Sequence, residues 1–265
     1  MDLHSIIYEY GLLTLIMLAI FSFVAGFIDA VVGGGGLVII PFLLINFPKV
    51  QLPVLFGTNK IAAFSGTTIA AIQYMKRVRF NITLLFIIAL FAFIASYIGA
   101  KTVSAISSES LKPFILMILI LIAVYTFFKK DLGSVQTKDL VFWKQAVYGS
   151  LFALAIGFYD GFFGPGTGSF LVLAFVVVLG FEFVTASAYA KVINCITNIS
   201  ALIVFVKNDQ YILSMAILML VFNVAGSYIG SKMALKRGNA FIRKIFLVIV
   251  SIMIARYGWE VFGNR

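Results

Sequence analysis

Long apolar runs interrupted by short polar connections dominate the chain. They fall at about 10–31, 36–47, 54–75, 80–100 and 111–128, and again at about 145–163, 167–181, 184–206, 211–235 and 240–262. Lipid offers the backbone no hydrogen bonds, so each run must close its own as a helix. An outer-membrane barrel would alternate apolar and polar residues, and stretches such as Leu116 to Val124 do not. The predicted fold class is all-α: a polytopic integral membrane protein made as an inverted repeat of two five-element helical halves. The halves are residues 1–130 and 145–265, one integrated membrane domain joined by a cytoplasmic loop at 131–144.

Composition leaves little alternative. Apolar side chains make up 62% of the 265 residues and charged ones 11%, against about 45–50% and about 25% in soluble domains. Mean hydropathy is +1.10. A soluble enzyme, a disordered chain and a disulfide scaffold are all excluded. The net charge of +10 does not mark a nucleic-acid binder. Its basic residues sit in connections: Lys76, Arg77 and Arg79; Lys129 and Lys130; Lys232, Lys236, Arg237, Arg243 and Lys244. Cytoplasmic loops are marked in this way, which predicts both termini outside. Cys195 has no partner for an internal disulfide, and the start, with Asp2 and Glu9, does not resemble a cleavable signal.

Sliding the sequence on itself exposes a repeat. An offset of 131 places Gly26, Phe27 and Asp29 on Gly157, Phe158 and Asp160. It places Gly33 and Gly35 on Gly164 and Gly166, and Lys60 on Lys191. Further along, Ser96-Tyr97-Ile98-Gly99 meets Ser227-Tyr228-Ile229-Gly230, and Lys101 meets Lys232. Coincidence of apolar residues is cheap here, but coincidence of Asp, Gly and Lys is not. Five elements per half, an odd number, would turn the second half upside down.

The second element in each half is short and follows a glycine run: Gly33-Gly34-Gly35-Gly36, and Gly164-Pro165-Gly166-Thr167-Gly168. About twelve residues give some 18 Å of helix, against a hydrocarbon core about 30 Å thick. Whether these elements cross or re-enter is open at this point. Four consecutive glycines remove a helix rather than pack one, and interrupted segments at matching places in two halves point to a transporter's binding site. A helix beginning there offers unpaired N–H groups and partial positive charge to an anion.

Charged side chains within spans are costly and point to function. Asp29 with Asp160 and Lys60 with Lys191 are such residues, related by the repeat. Thr58, Asn59, Ser65, Thr67 and Thr68 surround Lys60; Tyr189, Asn194, Thr197 and Asn198 surround Lys191. A structural reading pairs Asp29 with Lys60 and Asp160 with Lys191, bracing each half. A functional reading lets the lysines bind an anion and the aspartates hold the lysines or exchange protons. His4 has no metal-binding or catalytic company, and no glycine run ends in the Gly-Lys-Ser/Thr of an ATP site. No cofactor, no metal and no enzyme activity are expected.

These motifs resemble the TauE/SafE family of sulfite exporters. The resemblance rests on Gly26-Phe27-Ile28-Asp29, Gly33 to Gly36 and Gly57-Thr58-Asn59-Lys60 in the first half. In the second it rests on Gly157-Phe158-Tyr159-Asp160-Gly161, Gly164 to Gly168 and Ala190-Lys191-Val192-Ile193-Asn194. It implies secondary transport in the bacterial inner membrane, with sulfite, sulfoacetate or a related sulfur-containing anion moved outward. The expected substrate site comprises Gly34, Gly35, Gly36, Thr58, Asn59, Lys60, Gly166, Thr167, Lys191, Asn194 and Asn198, with Asp29 and Asp160 as coupling or ion-pair residues. Expected partners are that anion, protons as coupling ion, the lipid bilayer and a second copy in a homodimer. An anion channel and a membrane scaffold are the alternatives.

Overall fold

A computed structural model describes the backbone of residues 3–106 and 140–262, and side chains from Ile6 to Ile106 and from Leu140 to Arg237. The expected span at 111–128 and most of the connection at 131–144 lie outside the described residues. The order is α1 (Leu3–Tyr10), α2 (Leu12–Val32), α3 (Gly36–Asn46), α4 (Leu52–Met75), α5 (Ile82–Ala105), α6 (Phe142–Phe162), α7 (Thr167–Val177), α8 (Phe183–Lys207) and α9 (Leu213–Phe262). No strand occurs among the described residues. The protein is an all-helical membrane protein. Among the described residues, four segments are long and apolar enough to span a bilayer: 12–32, 82–105, 183–207 and 213–237. Their outer faces leave Leu13, Ile20, Phe86, Ile94, Ile203, Ile217 and Val221 exposed, a surface suited to lipid rather than water.

Local chemistry sets the helix ends. Pro53 sits in the first turn of α4, where its missing N–H costs nothing. Asn81 caps α5 by accepting a hydrogen bond from the Leu84 amide at 3.1 Å. Gly33 ends α2 at φ 82°, a left-handed conformation open to glycine. Two expectations need correction. An eight-residue helix, α1, precedes the first span and stops at Gly11. The expected break between 211–235 and 240–262 is not there, because α9 runs on as helix to Phe262. The connection contains one glycine, Gly238, and no proline; a single glycine costs a helix only about 1 kcal/mol.

The helix bounds repeat at the offset of 131 residues: Gly36–Asn46 maps onto Thr167–Val177, and Leu52 and Ile82 onto Phe183 and Leu213. Packing repeats reciprocally. α2 packs on α9 as α6 packs on α5, and α4 on α9 as α8 on α5. Each half therefore completes its core with a helix from the other.

Two apolar clusters sit at opposite ends of the bundle. One gathers Leu15, Leu18, Leu43, Phe47, Leu55, Phe205 and Met215. The other gathers Val32, Tyr74, Ile88, Ala146, Phe175, Phe183 and Ile193. α2 and α4 enter the first cluster with their N-terminal residues, whereas α6 and α8 enter the second with theirs. Along the chain, α2 and α4 pass from the first cluster to the second, and α6 and α8 from the second to the first. Asp29, Asn194 and Asn198 lie along the chain between residues of one cluster and residues of the other.

The interhelical seams are tight. A methyl on Gly99 would lie 2.2 Å from the Phe158 carbonyl oxygen, and at the equivalent place a methyl on Gly230 would lie 2.5 Å from that of Phe27. Backbone atoms cannot step aside as side chains do. Gly99→Ala should therefore cost about 1–3 kcal/mol, measured as a lower unfolding midpoint in detergent. An unchanged midpoint would mean that the α5–α6 seam is looser than described.

Candidate functional site

The two glycine runs meet at the middle of the molecule. A methyl on Gly33 would lie 2.2 Å from Gly168 backbone, and one on Gly36 3.0 Å from Pro165. The Ser169 amide donates to the Gly33 carbonyl at 3.0 Å and the Ser169 hydroxyl to the Val32 carbonyl at 2.9 Å. α3 and α7, eleven residues each, therefore stem from one shared break. The backbone abandons helix here, but it is covered by protein, which is the condition for irregular backbone at membrane depth.

Beside the break lies a cavity of about 40 Å³, room for two or three waters or one small oxyanion. The α4 face contributes Phe56, Asn59, Lys60, Ala63 and Thr67. This is one helical stripe, since residues three and four apart share a face. Asn194 and Asn198 of α8, a turn apart, oppose it, and Asn223 of α9, Asp29 and Asp160 also line it. The break supplies Gly33, Gly35, Gly36, Gly164 and Gly168. On one side Phe56 and Phe163 close the space, with ring centres 5.6 Å apart.

The ion pairs are crossed. Lys60 donates to the Asp160 carboxylate at 2.7 Å, and Lys191 to the Asp29 carboxylate at 3.2 Å. The reading that paired Asp29 with Lys60 and Asp160 with Lys191 is thus corrected: each aspartate is held by the lysine of the other half. The reason is topological, because α2 and α6 each pack into the opposite half. The two pairs are also unequal. The Lys191 side chain is fully buried and donates to the Asp29 carbonyl as well as its carboxylate; Thr67 adds a hydrogen bond to that carboxylate at 3.1 Å. Lys60 lines the cavity, and Asp160 is its one hydrogen-bond partner among the described residues. Two of its three donors are therefore unfilled.

Of the expected site residues, Gly35, Gly36, Asn59, Lys60, Asn194, Asn198, Asp29 and Asp160 line the cavity. Gly34, Thr58, Gly166, Thr167 and Lys191 do not. Thr58 donates to the Val54 carbonyl and accepts from the Ile212 amide, and Thr167 donates to the Gly164 carbonyl. Asn223 lies outside the expected site because no charged residue of its span marks that stretch, and Phe56 because one apolar ring does not stand out in so hydrophobic a chain. The side-chain amides of Asn59 and Asn198 make no hydrogen bond among the described residues, and Asn194 has only a long contact with Thr197 at 3.5 Å. All three side chains are under 10% exposed. Their amides open onto the cavity, where water or an anion can fill them. A cation, amide donors and backbone N–H groups suit an oxyanion. Among the described residues no group of His, Cys, Asp and Glu could hold a metal.

The sulfite exporter TauE/SafE family model matches residues 18–257. A probable membrane transporter protein of Haemophilus influenzae is 32% identical over 252 residues, covering 95% of this chain and 97% of its own length. A probable membrane transporter protein, YfcA, of Escherichia coli K12 is 31% identical over 269 residues, covering 100% of this chain and 97% of its own. A third, ORF9 of a Sinorhizobium species, is 35% identical over 242 residues, covering 91% and 90%. No solved structure matches. Matched over residues 18–257, a range that includes both glycine breaks and both lysine-bearing helices, the chain belongs to the sulfite exporter TauE/SafE family of membrane transporters.

Proposed function

We propose that the protein is a secondary-active transporter that exports sulfite or an organosulfonate such as sulfoacetate across the bacterial inner membrane. The observation that carries this reading is Lys60: a buried cation with one partner, facing a cavity ringed by unfilled amides of Asn59, Asn194 and Asn198. A pyramidal or tetrahedral sulfur oxyanion offers three oxygens to such a set. Lys60 supplies the charge, the asparagines and the amides of Gly35, Gly36 and Gly168 supply direction, and Lys191 with Asp29 braces the two halves. Asp160 competes with the anion for Lys60 and, as a protonatable group, is the candidate for coupling to protons.

The halves work as an inverted repeat, with alternating access by rocking about the cavity. The opposite directions of equivalent helices between the two apolar clusters support this. The basic residues at 76–79 and 232–237 support a cytoplasmic position for that end of the bundle by the positive-inside rule, with the start of the chain on the outer side.

Thermal unfolding of the purified protein across sulfite, sulfoacetate, thiosulfate, sulfate, acetate and chloride tests this. A ligand at a hundred times its Kd adds about 2.7 kcal/mol of apparent stability. Sulfite or sulfoacetate should raise the midpoint, and the charge-neutral double variant Lys60→Gln, Asp160→Asn, which keeps the two side chains hydrogen-bonded, should lose the effect. A shift with acetate alone would overturn the sulfur substrate. A double variant that responds like the parent would overturn the site.

A further inference from the structure

Away from the central cavity, a cleft of about 680 Å³ opens between the last turn of α4 and residues 228–236 of α9. Gln73, Lys76, Arg77, Tyr228, Lys232 and Lys236 line it, and no carboxylate does. Lys232 is engaged locally: its ammonium lies 4.2 Å from the centre of the Tyr228 ring and donates to the Tyr228 hydroxyl. Gln73 bridges the helices by donating to the Tyr228 carbonyl at 3.3 Å. Lys76, Arg77 and Lys236 are exposed and have no anionic partner among the described residues. Three such cations converging on one cleft repel one another unless an anion sits between them.

The repeat shows that the fold does not require them. At the equivalent place in the other half, offset by 131 residues, Asn208 stands for Arg77, Ala105 for Lys236 and Val204 for Gln73. Only Lys207 and Lys101 remain, matching Lys76 and Lys232. The surplus charge belongs to one end of the bundle.

The cleft is also amphipathic along each helix. Ile72, 45% exposed, lies one turn before Lys76, and Ile229, 44% exposed, lies three residues before Lys232. Charge at the mouth and exposed apolar side chains toward the membrane interior match a molecule with an anionic head and acyl tails. Basic pockets between membrane helices on the cytoplasmic side take such headgroups, and a guanidinium can hold a phosphate by two parallel hydrogen bonds. We propose that this cleft binds the phosphate headgroup of an anionic phospholipid, with Lys76, Arg77 and Lys236 as its ligands and the Tyr228–Lys232 pair as its wall.

The test uses the full chain in neutral detergent, with lipid binding read by native mass spectrometry and by the unfolding midpoint. Phosphatidylglycerol should bind and stabilise; phosphatidylcholine should not. The triple variant Lys76→Gln, Arg77→Gln, Lys236→Gln should weaken phosphatidylglycerol binding roughly a hundredfold, taking each cation as worth about fivefold. Lys101→Gln with Lys207→Gln, the equivalent end of the repeat, should leave it unchanged and controls for loss of bulk charge. All five residues are exposed, so the variants should fold. A triple variant that binds phosphatidylglycerol like the parent would overturn the site. Inorganic phosphate that reproduces the full stabilisation would overturn the lipid and make the cleft a vestibule for free anions. The sulfite-class ligand of the central cavity does not enter either readout, so this inference stands or falls separately.

Discussion

Lys191→Met should destabilise the protein by about 3–5 kcal/mol, and adding Asp29→Asn should restore most of that loss. The Lys191 side chain is fully buried and satisfies both the carbonyl and the carboxylate of Asp29. Removing it leaves a largely buried carboxylate at the edge of the central cavity with Thr67 as its remaining side-chain donor. An unpaired buried charge is the expensive state; a buried pair replaced as a pair is often close to neutral. A double-mutant cycle on unfolding midpoints therefore separates bracing from substrate binding. Single and double variants that lose equal stability would show that the pair does not couple the halves. A double variant that folds but still binds the transported anion would show that Lys191 lies outside the binding chemistry.

Spacing alone does not pair Lys191 with Asp29. Asp29 and Lys60 lie on neighbouring spans of one half, and proximity along the chain favours pairing them. What decides otherwise is that α2 packs on α9 and α6 on α5, and no local pattern encodes which of several equally apolar helices becomes a neighbour. The offset of 131 did announce the result in another way. Whatever Lys60 does with Asp160, the repeat calls for Lys191 to do with Asp29, and the structure has both.

The helix breaks were legible because they rest on backbone physics. Four glycines in the first half and a Gly-Pro-Gly in the second cannot hold a helix, and α2 ends at Gly33 while α7 begins at Thr167. The end of α9 was not legible, since Gly238 is one weak signal among strong helix formers. Site membership was legible along the lysine-bearing helices: Asn59 and Asn194 stand within a turn of Lys60 and Lys191, although their repeat equivalents are Ala190 and Ala63. Asn223 has no charged residue near it in its span, and Phe56 is one apolar ring among many. Asymmetry between the halves is what a directional site requires. Lys60 and Lys191 look equivalent in sequence, yet one faces the cavity and the other is sealed.

Asp160→Asn should tighten anion binding by about 10–100-fold while slowing transport. In the parent, the Asp160 carboxylate already occupies one donor of Lys60 at 2.7 Å, so an incoming anion must compete with a fixed negative charge beside it. Asparagine keeps the shape and a hydrogen-bond acceptor but removes that charge. The ammonium then gains a charged partner only when the anion is bound. A hydrogen bond to a charged group is worth about 1.5–3 kcal/mol, which sets the range of the expected gain. The same gain deepens the well from which the anion must leave, and a carrier limited by release turns over more slowly for it. Titration calorimetry with sulfite and efflux from proteoliposomes measure the two halves of the claim. Weaker binding by the variant would mean that Asp160 orients Lys60 rather than competing for it. Tighter binding with unchanged efflux would mean that release of the anion does not limit the cycle, and would leave the return of the empty carrier as the slow step.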